Sequence, residues 1–199
     1  MDYTILVNKK NIINENQIPK ELEIVGKNFW KIENVFEEDF VYLEKIAAFN
    51  FNKMIRDCNT IFKSEVIPDS GYRSIEDQKK ILKYYLREDQ RGEEAYNTVA
   101  LPYTSEHHTG LAIDVAIIKD GKYSDDITGD EPEIKWLHNN CFKYGFILRY
   151  PKNKVSITGY NYEPWHFRYV GLDIAEKIWK NNLALEEYYL LNFESSKIM

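Results

Sequence analysis

Apolar residues recur at Phe40, Leu43, Ala47, Phe51, Met54, Ile55 and Cys58, and this spacing predicts a helix from Phe36 to about Cys58. Ser74 is a cap for a second helix, with Glu76 and Asp77 in its first turn and Ile75, Ile81, Leu82, Tyr85 and Leu86 as its buried stripe. Glu131 to Tyr144 reads as a third helix, opened by Pro132 and stopped by Gly145. The tail from Leu172 to about Phe193 is mainly helical. Strand patterns fall at Val66-Ile67-Pro68, Leu111 to Ile118, Phe146 to Tyr150 and His166 to Val170, and Asp120-Gly121 reads as a hairpin turn. Gln90 to Thr104 is a polar loop. Residues 1–34 form an irregular arm with one or two short strands. No linker, repeat or low-complexity stretch divides the chain, so a single domain over 1–199 is expected.

The chain has 199 residues, 44% of them hydrophobic and 29% charged, which predicts an ordinary globular core. Its net charge of −6 disfavours nucleic-acid binding through bulk charge, so an anionic ligand must meet local cations. Aromatics make up 15%, which suits a core plus an aromatic-lined groove. Cys58 and Cys141 are the only cysteines and fall in no metal-ligand spacing, which excludes a disulfide scaffold. The first apolar run stops at Val7, too short for a signal-peptide core, and no stretch approaches a membrane span. A cytoplasmic protein is expected.

Of the four histidines, His138 lies inside a helical pattern and reads as structural. The other three keep unusual company. On a strand, Leu111, Ile113, Val115 and Ile117 face one way, and Ala112, Asp114 and Ala116 face the other. A carboxylate flanked by two alanines is odd for a solvent face. It suits a face that must accept something bulky, such as a metal ion with its substrate; a buried hydrogen-bonded Asp is the other reading. Gly110 lets the chain turn so that His107 or His108 reaches the same point. A His and an Asp suit zinc. In Glu163-Pro164-Trp165-His166, Pro164 argues against a helix interior, and His166 can open a strand as a third ligand. Glu163 would then stand beside the open zinc position as a base; taken alone, this segment reads more readily as a surface Glu next to a core Trp and His. In Ser70-Gly71-Tyr72-Arg73-Ser74, Arg73 at a helix start, with Gln78 in the first turns, offers an anion site; without the other two segments, a pair between Arg73 and a surface acid is the better reading.

Together these residues resemble the VanY/VanX-type zinc D,D-peptidases, the D-alanyl-D-alanine carboxypeptidase family. Its pattern Ser-x-His-x-x-Gly-x-Ala-x-Asp is met by Ser105, His107, Gly110, Ala112 and Asp114. Its Glu-Pro-Trp-His element is met by Glu163 to His166, and its Gly-Tyr-Arg-Ser…Gln element by Gly71 to Ser74 with Gln78. The likeness spans roughly residues 60–172. It implies an α+β fold, a small antiparallel sheet flanked by helices, of the hedgehog-like D,D-peptidase type. It implies one zinc ion held by His107, Asp114 and His166, choosing His107 over His108. It implies Glu163 as base, Arg73 as polariser of the scissile carbonyl, Ser105 and Gln78 on the terminal carboxylate, and Trp165 shaping the pocket, with Ser70 and Tyr72 beside them.

The substrates this implies are peptidoglycan precursors ending in D-Ala-D-Ala, the target of vancomycin-type antibiotics. Free D-Ala-D-Ala is a further candidate. Some two-function relatives carry Asp directly before Gly-Tyr-Arg, where this chain has Ser70. A free dipeptide brings an ammonium group that needs a carboxylate, so Ser70 favours substrates with a blocked amine. Asp69, one residue away, is not expected to reach. An L,D-carboxypeptidase or endopeptidase on the same scaffold and a non-enzymatic zinc module are the alternatives. Nothing in the sequence fixes whether the chain forms a homodimer.

Overall fold

The computed structural model describes residues 2–87 and 92–195. Two strands, β1 (Leu22–Lys27) and β2 (Phe40–Glu44), form a small antiparallel sheet. β2 runs directly into α1 (Lys45–Asn59). Next come β3 (Glu65–Ser70), α2 (Ile75–Arg87), β4 (Ala112–Lys119), β5 (Lys122–Ser124) and α3 (Pro132–Asn140). β6 (Phe146–Leu148), the single turn α4 (Val155–Thr158), β7 (His166–Tyr169), α5 (Leu172–Lys180) and α6 (Leu185–Ser195) complete the chain. The main sheet runs β3-β4-β7-β6 with every pairing antiparallel, and β5 extends β4 beside the hairpin turn at Asp120-Gly121. The fold is α+β with a small antiparallel sheet flanked by helices, as the resemblance implies.

One face of the sheet carries Ile113, Val115, Ile117, Phe146, Phe167 and Tyr169. It packs on Ala47, Ala48, Phe51, Met54 and Cys58 of α1 and on Ile134 and Leu137 of α3. Removing this apolar area from water is the main force holding helices to sheet. The other face carries the polar row. Asp114 of β4 pairs with Ser70 of β3 on one side and with His166 of β7 on the other. Directly paired residues share a face, so three strands bring Ser70, Asp114 and His166 into one line.

Several boundaries differ from the sequence expectation. The helix expected from Phe36 begins at Lys45, because Phe40 to Glu44 is a strand. Val41 and Leu43 are buried while Phe40 is exposed, a period of two that a helical spacing of Phe40 and Leu43 conceals. Glu44 caps α1 by accepting from the N–H groups of Ile46 and Ala47. The third helix tightens into a 3-10 turn at Cys141–Tyr144 before Gly145. The expected tail helix is broken between Lys180 and Leu185, with Asn182 in the left-handed region. The Gln90–Thr104 loop contains a 3-10 turn at Gly92–Asn97; its first two positions lie outside the described residues. Cys58 and Cys141 are both free and buried.

Candidate metal and substrate site

His107 lies in a 3-10 turn, Glu106–Thr109, capped by the Ser105 hydroxyl and ended by Gly110 at φ 65°. That left-handed turn suits glycine and throws the chain directly into β4. His107 Nδ1 lies 2.7 Å from the Gly71 carbonyl. That contact makes Nδ1 the protonated nitrogen and leaves Nε2 free to bind a metal. His108 is different. Its Nδ1 meets the Arg73 carbonyl at 2.8 Å and its Nε2 accepts the Tyr103 N–H at 3.3 Å, so both ring nitrogens are in use. His138 likewise serves structure, with Nε2 2.9 Å from the Pro164 carbonyl.

His107, Asp114 and His166 each offer a ligand atom, and these atoms lie within 4.8 Å of one another. Asp114 Oδ2 is 3.3 Å from His107 Nε2, and Asp114 Oδ1 is 2.9 Å from His166 Nδ1. Yet Asp114 Oδ1 is buried and has no hydrogen-bond partner among the described residues. A buried carboxylate oxygen facing a ring nitrogen without a hydrogen bond is the arrangement a shared cation resolves. Two imidazoles and a carboxylate are the donor set of an open, three-ligand zinc site, so the residues fit that metal. The electrostatics agree. Burial opposes ionisation of Asp114, but the two imidazoles hold it well below the usual carboxylate range. Burial and the Arg73 guanidinium lower His107 to about 4.

A cavity of about 280 Å³ opens over this cluster. Ser70, Arg73, Gln78, Ser105, Glu163 and Trp165 all line it. Arg73 is held from three directions. Its Nε donates to Ser70 Oγ at 3.1 Å, one terminal nitrogen donates to Gln78 Oε1 at 3.1 Å, and the other lies 3.4 Å from Asp114 Oδ2. The Trp30 ring covers the guanidinium at 5.6 Å. Glu163 has its Oε2 3.5 Å from His166 Nδ1, and burial pushes its carboxyl up to about 8. Tyr72 is the exception among the expected site residues. Gly71 passes so close to the Tyr42 carbonyl that no side chain fits there. The Tyr72 N–H is donated to that carbonyl, and Tyr72 stands outside the cavity lining.

Two further expectations change. Asp69 does reach the cavity. β3 and β4 slip register between Pro68 and Ser70, and this bulge lets Asp69 and Ser70 both line the site. The alanines beside Asp114 do not make room for a ligand. Ala112 is paired with Arg168 and Ala116 with Ile67, and neither alanine lines the cavity. Glu106, which carries no sequence expectation, is buried beneath His166. The signal for it was available: Arg149 and Arg168 interrupt two apolar strand patterns, and buried guanidiniums demand a buried acid.

The family model for VanY, D-alanyl-D-alanine carboxypeptidase, matches residues 41–172. The chain belongs to the VanY family. A putative carboxypeptidase, YodJ of Bacillus subtilis (strain 168), is 40% identical over 92% of this chain, which spans only 66% of that relative. The bifunctional D-Ala-D-Ala dipeptidase and carboxypeptidase VanXYC of Enterococcus gallinarum is 36% identical over 92% of each chain. Among solved structures, the LD-carboxypeptidase LdcB matches with TM-score 0.76 at 39% identity, covering 92% of this chain and 84% of its own. A variant of the D,D-pentapeptidase VanY from a VanB-type resistance cassette, solved in complex with Zn(II), matches with TM-score 0.74 at 35% identity, covering 95% and 99%. Among the described residues no helix is long and apolar enough to cross a membrane.

Proposed function

We propose that this chain is a zinc-dependent D,D-carboxypeptidase that removes the terminal D-Ala from peptidoglycan precursors ending in D-Ala-D-Ala, and thereby the ending that vancomycin-type antibiotics bind. The observation that carries the reading is the convergence of His107 Nε2, Asp114 and His166 Nδ1 beneath a cavity, with the Asp114 oxygen left unpaired. His107, Asp114 and His166 would hold one zinc ion, which supplies Lewis acidity at the scissile carbonyl and lowers the pKa of water.

The chain's own groups do the rest. Glu163 takes the proton of the attacking water and returns it to the leaving D-Ala nitrogen. Its carboxyl sits at about 8 in the metal-free site; a neighbouring dication favours the ionised form that a base needs. Arg73, fixed by Ser70, Gln78 and Asp114, presents its charge to the carbonyl oxygen as negative charge develops there. Ser105, Gln78 and Trp165 line the cavity; in this reading Ser105 and Gln78 would meet the substrate's terminal carboxylate, Gln78 by turning its amide nitrogen away from the Ala100 carbonyl to which it donates at 2.8 Å, and Trp165 would shape the pocket. Burial of the cluster keeps water from weakening these interactions.

The decisive experiment is a D-alanine release assay on a UDP-linked pentapeptide, on free D-Ala-D-Ala and on a tetrapeptide with an L,D bond. Release from the pentapeptide, abolished by chelation and restored by zinc, is expected. Release from the tetrapeptide alone favours the second reading, an L,D-carboxypeptidase, which the likeness to LdcB supports. Zinc binding with no turnover of any of the three favours a non-enzymatic zinc module.

A further inference from the structure

Behind His166 lies a buried group of charges, of which Glu106 lines the cavity and Arg149, Arg168 and Glu186 do not. Glu106, Arg149 and Arg168 are almost wholly buried. Glu106 Oε1 is fully engaged: Arg149 Nε donates to it at 2.7 Å, and an Arg168 terminal nitrogen lies 2.9 Å away. Arg149 turns its other two nitrogens to Glu186 of α6, at 2.9 and 2.7 Å. Arg168 donates to the carbonyls of Tyr3, Ile5 and Tyr169. So the N-terminal arm holds Arg168 and the C-terminal helix holds Arg149, and the two guanidiniums together clamp one carboxylate.

The clamp leaves Glu106 Oε2 as the only free oxygen of that carboxylate. It faces His166 Nε2 at 3.7 Å, and both atoms are buried without a hydrogen-bond partner among the described residues. The opposite ring nitrogen, Nδ1, is the one turned to Asp114. We infer that Glu106 is a positioning residue for the metal site: it accepts the Nε2–H of His166, and so fixes the tautomer and ring orientation that present Nδ1 to zinc. A small rotation closes the gap to the roughly 3.0 Å of an N–H···O bond. A carboxylate behind a ligating imidazole also raises the basicity of the ligand nitrogen.

The inference rests on the zinc reading above, and zinc affinity separates the two. Zinc would be titrated against a chromophoric chelator, with thermal unfolding of the metal-free protein in parallel. Glu106→Asp keeps the charge for both arginines but withdraws it from His166. It should weaken zinc binding about 10–100-fold. Glu186→Gln disturbs the same network one residue further out. It should lower the unfolding temperature yet leave zinc affinity within about twofold. Equal losses of affinity in the two variants would make the network a structural element only and overturn the inference. A second measurement needs no variant. In the zinc-loaded protein at neutral pH, nitrogen-15 spectra should show His166 Nε2 protonated with a slowly exchanging proton. A metal-bound Nε2, or a rapidly exchanging one, overturns the inference while leaving the zinc reading intact. If the unmodified protein takes up no zinc, both fall together.

Discussion

Asp69 accepts the Tyr123 hydroxyl at 2.5 Å inside the wall of the cavity, although its neighbour Ser70 occupies the position next to Gly71. Burial raises the Asp69 carboxyl to about 7, against the lowering effect of the Tyr123 hydroxyl. A raised acid is protonated below that value and charged above it. At pH 6 it therefore offers little to the ammonium of a free dipeptide, and at pH 8 it offers a full charge. The pentapeptide, whose amine is blocked, does not use it. The ratio of dipeptide to pentapeptide kcat/KM should rise several-fold between pH 6 and pH 8 in the unmodified protein, and about 1–3 kcal/mol of charge pairing sets the ceiling. Asp69→Asn should flatten that rise and leave pentapeptide turnover unchanged. A ratio independent of pH in the unmodified protein would remove Asp69 from substrate recognition.

Ser70 tests the same subsite from the other side. Its hydroxyl braces Arg73. Ser70→Asp places a permanent carboxylate beside Asp69 and should raise dipeptide hydrolysis selectively, by about ten- to a hundredfold if the missing pairing is its full cause. Pentapeptide turnover should stay equal or fall. The measurement is kcat/KM for both substrates; a parallel rise in both would mean that Arg73, not the ammonium, responds.

His107→Ala, Asp114→Ala and His166→Ala should each lose bound zinc under dialysis, because three protein ligands leave none to spare. His108→Ala should retain it. Both His108 ring nitrogens are used inside the protein, so its loss leaves buried groups unpaired at a cost of about 1–3 kcal/mol. Metal analysis and thermal unfolding on the four proteins separate the two effects. Zinc retained in the His107 variant and lost in the His108 variant would reverse the ligand assignment.

Glu163→Ala should bind zinc and fold, yet lose about 10²–10⁴-fold in kcat. Glu163→Gln should do the same without opening a cavity. Full turnover in either zinc-loaded variant takes Glu163 out of proton transfer.

Much of this arrangement was legible in the chain. The alternation from Leu111 to Ile117 placed the core face and the Asp114 face of β4 correctly. The strand opened by His166 was equally readable. The bulge at Asp69 was not, because register between strands depends on pairing that no single strand encodes. Nor was β2, where Phe40 and Leu43 fit a helix at a spacing of three while Val41 and Leu43 fit a strand at a spacing of two. The choice between His107 and His108 needed either the resemblance or the Gly71, Arg73 and Tyr103 contacts, since adjacent histidines offer the same chemistry at nearly the same place. Glu106 was hidden by its neighbours, for a charged residue next to two histidines reads as part of their site and not as the counterion of arginines more than forty positions away.

That counterion role sets the acid stability of the metal-free protein. Burial opposes ionisation of Glu106, but Arg149 and Arg168 overcome it and hold the carboxyl far below its usual value. A depressed acid stabilises the fold above its unfolded pKa of about 4.3, and that contribution is lost as pH falls toward the folded value. The chelated protein should therefore lose unfolding temperature steeply below about pH 4.5. Arg168→Met removes one of the two cations and leaves Glu106 partly uncompensated. At pH 7 it should cost about 3–5 kcal/mol, a fall of roughly 2–4 °C in Tm per kcal/mol for a chain of this size. The paired replacement Glu106→Met with Arg168→Met removes a buried charge of each sign and should recover much of that loss, because apolar groups of similar volume replace a buried ion pair at little cost. It should also show a shallower decline in Tm between pH 5 and pH 3, since the group that titrates is gone. Scanning calorimetry across that range on the three proteins is the test. A double variant no more stable than the single one, with an unchanged acid slope, would show that Arg168 and Glu106 are not energetically coupled.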